Sequence, residues 1–192
     1  GSLALPENIK PLQAQHKAYL LGRGFDPDKL AQFWNIQGIG ISIPKHAWSL
    51  FIPIIYQGRL ISWTLRYLGN EGARYHNASS EEELYPAKSV LYGIDYVRTT
   101  IVITEGPTDV WRLGPGTTAT FGVGYTSRQV ALAAGYPTRV ICFDSEPKAQ
   151  ERAREIADAL SIYPGRTIRC ELDAPDPGSA SEREVKLFRE AF

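Results

Sequence analysis

Methionine is absent from this 192-residue chain, and cysteine occurs only twice. The missing methionine, together with Gly1-Ser2 at the start, reads as the tag scar of a fragment cut from a longer protein, so flanking domains are expected. Cys142 and Cys170 stand apart in apolar, strand-like runs, with no CxxC pair. That excludes a structural zinc ribbon and predicts free, buried thiols in a reducing cytoplasm. No apolar stretch is long enough to cross a bilayer and no signal-like N-terminus is present, so no membrane partner is expected. Charge of one sign is also missing: 21 Lys and Arg balance 21 Asp and Glu. Net charge therefore decides nothing about nucleic acid, and the distribution has to be read instead.

What is present suffices for a normal core. A hydrophobic content of 43% at this length permits one domain or two small ones. The first part reads as mixed α and β. Pro11 to Leu21 is a candidate helix with His16, Tyr19 and Leu20 on one side, stopped by Gly22 and Gly24. Asp26-Pro27 opens a second helix to about Trp34, with Asp as N-cap and Pro in the first turn. Ser49 to Tyr56 and Arg59 to Tyr67 are rich in β-branched and aromatic residues and are joined by Gln57-Gly58, the pattern of a hairpin. Pro53 inside the first run predicts an edge or a bulge there. A polar, turn-rich stretch follows, with the solvated acids Glu81, Glu82 and Glu83, and a domain boundary is expected near Arg98.

From Thr100 onward strands and helices alternate. Strands are expected at Thr100 to Thr104, Thr117 to Phe121, Arg139 to Phe143 and Thr167 to Leu172. Helices are expected at Thr108 to Leu113, Ser127 to Ala134, Pro147 to Leu160 and Ala180 to Ala191. Short loops between alternating elements predict a parallel sheet covered on both faces. The fold class is thus α/β: a mixed α+β subdomain over 1–98 followed by a parallel-sheet α/β subdomain over 99–192.

Two acidic clusters carry the chemistry. Glu105-Gly106-Pro107-Thr108-Asp109 follows the apolar run Ile101-Val102-Ile103, and Asp144-Ser145-Glu146 follows Val140-Ile141-Cys142-Phe143. In an open parallel sheet, ligands bind beyond the carboxyl ends of the strands, which is where these acids are placed. Oxygen donors of this kind select hard ions such as magnesium or manganese, and two such ions could clamp the oxygens of a phosphoryl transfer. Asp144 and Glu146 are equally suited to cap the helix beginning at Pro147, and Glu105 and Asp109 the helix after Pro107. Gly122 and Gly124 either let the backbone approach a phosphate or close a tight turn. Between residues 36 and 80, Lys45, Arg59, Arg66 and Arg74 meet a single acid, Glu71, and are interleaved with His46, Trp48, Trp63, Tyr67 and Tyr75. That mixture fits a phosphate-tracking groove or a solvated sheet face over core aromatics.

The second half resembles the Toprim domain of bacterial-type primases, topoisomerases and some nucleases, in which Glu-Gly ends one strand and Asp-x-Asp a later one. Glu105-Gly106 matches the first; Asp144-Ser145-Glu146 matches the second with Glu in place of the final Asp. The first half is similar to the polymerase core of bacterial and phage replicative primases. The matching series runs Tyr19-Leu20-x-x-Arg23-Gly24-Phe25, Phe51-Ile52-Pro53-Ile54, Gly58-Arg59-Leu60-Ile61, Arg66, Arg74-Tyr75-His76-Asn77, Leu91-Tyr92-Gly93 and Glu105-Gly106-x-x-Asp109. The order of the series, over residues 12–178, carries the resemblance.

That resemblance implies a DNA primase catalytic core: a metal-dependent nucleotidyltransferase that makes short RNA primers on single-stranded DNA during replication. It implies Glu105, Asp109, Asp144 and Glu146 as catalytic, Glu105, Asp144, Glu146 and Asp176 as ligands of Mg2+ or Mn2+, and Arg66, Arg74 and Asn77 as nucleotide- or template-binding. Glu105 is also a candidate acceptor of the attacking hydroxyl's proton. The implied partners are single-stranded DNA template, ribonucleoside triphosphates and a replicative helicase in cis or in trans, in the cytoplasm of a bacterium or a phage-infected cell. The chain departs from the pattern at Glu146 and at Gly178, where a further acid is common. A Toprim nuclease, and a vestigial primase domain that only binds DNA or supports a helicase, are the alternative expectations.

Overall fold

Hydrophobic period and turn chemistry translate into elements with few displacements. The computed structural model describes residues 1–122 and 124–192, and the chain divides into the units Gly1–Ala87 and Lys88–Phe192.

The first unit is built on an antiparallel sheet whose strands lie in chain order: β1 (Ile9–Lys10), β2 (Gln37–Ile39), β3 (Ser49–Tyr56), β4 (Arg59–Tyr67) and β5 (Tyr75–Asn77). Gln57 and Gly58 both take positive φ, 51° and 74°, the condition for a two-residue turn that matches the strand twist. Pro53 sits in β3 without breaking it, because β2 pairs only as far as Phe51 and a register shift follows at Ile54/Ile55. The missing N–H thus falls where β3 has lost its neighbour on one side.

Helix α1 (Ala14–Gly22) starts later than the expected Pro11, with Gln13 extended at the N-cap. His16 anchors it. The buried ring accepts the Gln13 N–H at Nδ1 (3.1 Å), which leaves the proton on Nε2 to donate to the Ile39 carbonyl at 3.0 Å. Gly38 makes this possible: a Cβ there would lie 2.5 Å from the imidazole. Helix α2 (Pro27–Trp34) is capped by the Asp26 carboxylate, which accepts from the N–H groups of Asp28 and Lys29.

The second unit holds a parallel sheet of β6 (Thr100–Thr104), β7 (Thr117–Ala119), β8 (Thr138–Ile141) and β9 (Arg166–Arg169), in the order β7-β6-β8-β9. The connecting helices are α3 (Pro107–Leu113), α4 (Ser127–Ala134), α5 (Pro147–Ser161) and α6 (Glu182–Ala191). Val102, Val140 and Cys142 pack against Leu113 of α3 and Phe188 of α6 on one face. Arg139, of the opposite parity, reaches carbonyls of α4 and α5 on the other. The sheet is therefore covered on both faces, as alternation predicts.

Further boundaries differ from expectation, among them the end of β8 at Ile141 instead of Phe143. β7 ends at Ala119, before Phe121, whose φ is +64°. β9 ends at Arg169 rather than Leu172, and α6 begins at Glu182 because a 3-10 turn at Pro177–Ser179 precedes it. The units part between Ala87 and Lys88 and not near Arg98. The intervening segment belongs to the second unit: Tyr92 bridges to Ala119 and its hydroxyl accepts from Trp111 Nε1 at 3.0 Å. Both cysteines are free, Cys142 buried and Cys170 half-buried. Among the described residues, no helix is long and apolar enough to cross a membrane.

Candidate active site

The strand order places the acids. The chain leaves β6 for β7 on one side and returns to β8 on the other, so the loops after β6 and β8 diverge and open a crevice at the sheet's carboxyl edge. Glu105 is the residue after β6; Asp144 lies just past β8. Each is aimed by its backbone surroundings. The Glu105 carbonyl accepts the Gly122 N–H at 2.8 Å. The Asp144 carbonyl accepts from Gln150 Nε2 at 2.8 Å, which ties the loop to α5. Ser145 donates its N–H to Pro175 O at 2.9 Å, drawing in the segment that carries Asp176.

Glu105 and Asp144 meet. Their charges repel, and Asp144 is the strongest of the charges acting on Glu105. Glu105 Oε1 and Asp144 Oδ1 are buried and have no hydrogen-bond partner. Such atoms carry the full cost of desolvation unless something else satisfies them.

Asp109 and Asp176 are engaged otherwise. Asp109, 5% exposed, accepts the Gly106 N–H at one oxygen (3.1 Å) and the Gly178 N–H at the other (2.8 Å). It closes the first turn of α3 and clamps that turn to the 3-10 segment. Asp176 caps the 3-10 segment by accepting from Ser179 N–H at 3.0 Å. Glu146 occupies the N-cap position of α5 but makes no capping bond, and its side chain is exposed. The helix-capping alternative thus describes Asp109 and not Glu146.

The electrostatics follow from this crowding. Burial, then repulsion from Asp144 and Asp109, pushes Glu105 up to about 8. Burial and the Asp144 charge push Asp109 up to about 7, against its two backbone donors. Burial and repulsion from Asp176 and Glu146 raise Asp144 to about 6. Among the described residues, no Lys or Arg forms an ion pair with any of these acids.

A divalent cation fits this edge. The donors are all oxygens, two of them buried and unpartnered, and the acids carry repulsion that protons or cations must offset. Among the described residues, no group of three or more acids, histidines or cysteines is arranged to hold a metal by itself. Magnesium does not require one: it commonly takes one or two carboxylates and keeps water or phosphate for the rest of its shell.

The predicted nucleotide- and template-binding residues lie in the first unit. Arg66 stands over the Tyr75 ring, 4.9 Å from its centre, and donates through Nε to the Tyr19 hydroxyl at 3.2 Å. Thr64 pairs with Asn77 and Arg66 with Tyr75 across β4 and β5, so these four share a face. The Asn77 Oδ1 accepts from Thr64 Oγ1 at 2.7 Å. Arg74 is exposed on the turn before β5. Of the residues without an assigned role, Lys45 and His76 line a separate cavity of about 220 Å³ with Tyr67 and Tyr75.

Sequence reasoning assigned no role to Tyr19, Arg23 or Lys88. Tyr19 also accepts from Arg23 Nη1 at 3.2 Å. Burial alone would raise its hydroxyl, but the bonds from Arg23 and Arg66 outweigh this and hold it below the usual phenol value. Arg23 is the C-cap of α1, and its i, i+4 spacing from Tyr19 was the available signal. Lys88 donates to the carbonyls of Thr120 and Gly124, pinning the loop whose Gly122 contacts Glu105. No local pattern announces it.

No known family profile matches the chain, and no curated protein matches it by sequence. Solved structures do match. The crystal structure of the Aquifex aeolicus primase, comprising zinc-binding and RNA polymerase domains, gives a TM-score of 0.79 at 17% identity over 93% of this chain and 55% of that one. The DnaG primase catalytic domain bound to single-stranded DNA gives 0.76 at 20% identity, covering 95% of this chain and 74% of that one. The primase fragment of the bacteriophage T7 primase-helicase gives 0.67 at 15% identity, covering 100% and 83%. The chain has the fold of a DnaG-type catalytic core, and it spans about half the length of the A. aeolicus structure.

Proposed function

We propose that this chain is the RNA-polymerising core of a bacterial- or phage-type DNA primase, making short RNA primers on single-stranded DNA with magnesium or manganese. The observation that carries the reading is the Glu105–Asp144 pair: two carboxyl groups from neighbouring strand ends, close enough to repel, each with a buried unpartnered oxygen, on a fold shared with primase cores.

In the proposed reaction a ribonucleotide 3′-hydroxyl attacks the α-phosphate of a ribonucleoside triphosphate. A phosphodiester bond forms and pyrophosphate leaves. Glu105 and Asp144, with Glu146 and Asp176 on the same edge, would hold the metal, and Glu105 is the candidate acceptor of the hydroxyl proton. Bound metal supplies positive charge against that developing on the phosphate oxygens. Asp109 acts by placement, keeping the α3 turn that presents Glu105 locked against Gly178. Arg66, Arg74 and Asn77 bind phosphates of nucleotide or template. A replicative helicase, in the same polypeptide or as a separate protein, is the proposed partner, and the cytoplasm the proposed location.

The test is synthesis of short RNA on single-stranded DNA from ribonucleoside triphosphates with Mg2+ or Mn2+, resolved on a denaturing gel. Glu105→Gln, if folded, is expected to lower product by at least about a hundredfold, the scale of losing electrostatic stabilisation of the transition state. Full activity in that variant would refute the assignment. Cleavage of labelled DNA with metal and no nucleotides would instead identify a phosphodiester hydrolase.

A further inference from the structure

Arg66 is constrained without being neutralised. Its Nε is committed to Tyr19, and one face of the guanidinium lies on Tyr75. Among the described residues, neither terminal nitrogen has a hydrogen-bond or ion-pair partner. A guanidinium fixed by its Nε and its face, with both terminal NH2 groups uncommitted, presents a ready fork to a tetrahedral oxyanion.

The fixing group is the Tyr19 hydroxyl. It accepts from Arg23 Nη1 and from Arg66 Nε, both at 3.2 Å. Two cationic donors converging on one neutral oxygen repel each other, and the half-buried phenol is what joins them. Its own helix is set by the buried His16 one turn earlier, which bonds to Ile39 of β2. The orientation of Arg66 on β4 is therefore referred to the β2–α1 junction as well as to its own strand.

We infer that Tyr19 is a positioning residue: its hydroxyl holds the Arg66 guanidinium over Tyr75 so that the two terminal nitrogens grip a phosphate group of nucleic acid or nucleotide. This rests on the nucleic-acid reading above. Without the hydroxyl the arginine keeps its charge but regains rotamer freedom that binding must then remove. Phosphate affinity should fall while the fold is unchanged.

The experiment is a double-mutant cycle on the whole chain with Tyr19→Phe, Arg66→Ala and the pair. Two probes are used: a fluorescein-labelled oligothymidylate by anisotropy, and ATP with magnesium by calorimetry. Tyr19→Phe is expected to weaken at least one probe by about tenfold, the scale of one charge-assisted hydrogen bond, and to add nothing once Arg66 is Ala. Loss confined to oligothymidylate identifies a template phosphate; loss confined to ATP identifies the triphosphate. In the template case the slope of log affinity against log salt should shrink by about 0.7, the release from one single-strand phosphate, which a merely structural role would not produce. Equal losses from Tyr19→Phe in both Arg66 backgrounds overturn the inference. So does unchanged binding in Tyr19→Phe where Arg66→Ala loses affinity, an outcome that leaves the nucleic-acid reading standing. If Arg66→Ala binds both probes normally, the phosphate site itself falls along with the inference.

Discussion

The Glu105 carboxyl and the Asp144 carboxyl face each other across the ends of two neighbouring parallel strands, and the Asp144 charge is the strongest acting on Glu105. Each follows an apolar strand that by itself has no reason to end in a buried acid. Among the described residues no basic side chain forms an ion pair with either, so their repulsion is left for protons or a divalent ion to relieve.

That repulsion has a definite pH sign. Glu105, Asp109 and Asp144 are raised to about 8, 7 and 6 in the folded chain, whereas unfolded carboxyl groups titrate near 4. The folded state therefore holds protons that the unfolded state releases, and this contribution to stability is full below about pH 4 and lost as pH rises toward about 8. Metal-free protein is expected to show a Tm that falls between about pH 5 and pH 8, with magnesium or manganese restoring it at pH 8 and doing little at pH 5. Glu105→Gln should flatten the profile. Scanning fluorimetry across pH with and without the metal reads this directly, and an unchanged slope in Glu105→Gln would remove the residue from the cluster.

Arg139 offers a test of the scaffold alone. It is fully buried, and its donors go to Thr167 Oγ1 and to carbonyls of Ala134, Tyr136, Leu160, Tyr163 and Pro164. It thereby satisfies the open ends of α4 and α5. Arg139→Met keeps the apolar stem and strands those carbonyls, so a loss of about 3 kcal/mol or more is expected from the range for breaking buried charge-assisted contacts. Urea denaturation checks it, and a loss under about 1 kcal/mol would mean that water replaces the guanidinium.

Gly178 tests the clamp on Asp109. A Cβ there would stand 3.0 Å from Thr108 Oγ1, 3.1 Å from Asp109 Oδ1 and 3.2 Å from Asp176 Oδ1. Gly178→Ala gains about 0.5 kcal/mol through the unfolded chain, but crowding a packed site costs about 1–3 kcal/mol. Net destabilisation of roughly 1–2 kcal/mol is expected, with weaker manganese binding as Asp109 shifts. Stabilisation on urea titration would show that the clamp is loose.

The hairpin from Ser49 to Tyr67 was legible because its evidence is local: strand-forming residues on either side of a two-residue turn with positive φ. α2 was legible through Asp26 and Pro27 for the same reason. The start of α1 and the end of β9 were not, since Gln13 carries no strong capping signal and Cys170 to Leu172 stay apolar after the ladder stops. The boundary near Arg98 was misplaced because segment 88–98 owes its membership to Tyr92 meeting Ala119 and Trp111, contacts with no local signature.

Asp109 is the instructive case at the site. In the chain it looked the same as Glu105, an acid beside a helix start. Only the fold separates them, giving Asp109 two backbone donors and leaving Glu105 Oε1 with none. Likewise Tyr19 and Arg23 belong to one short motif and Arg66 to another, and the two become one arrangement where the Tyr19 hydroxyl meets Arg66 of β4.

By itself the sequence determined the class of each element and that acids would end two central strands, since period, turn residues and apolar runs act over a few neighbours. Tertiary structure alone decided that β6 and β8 are adjacent at the point where the chain reverses direction across the sheet. Strand order depends on packing between segments distant in the chain, and whether an acid becomes a cap, a clamp or half of a cation site depends on which of those segments it meets.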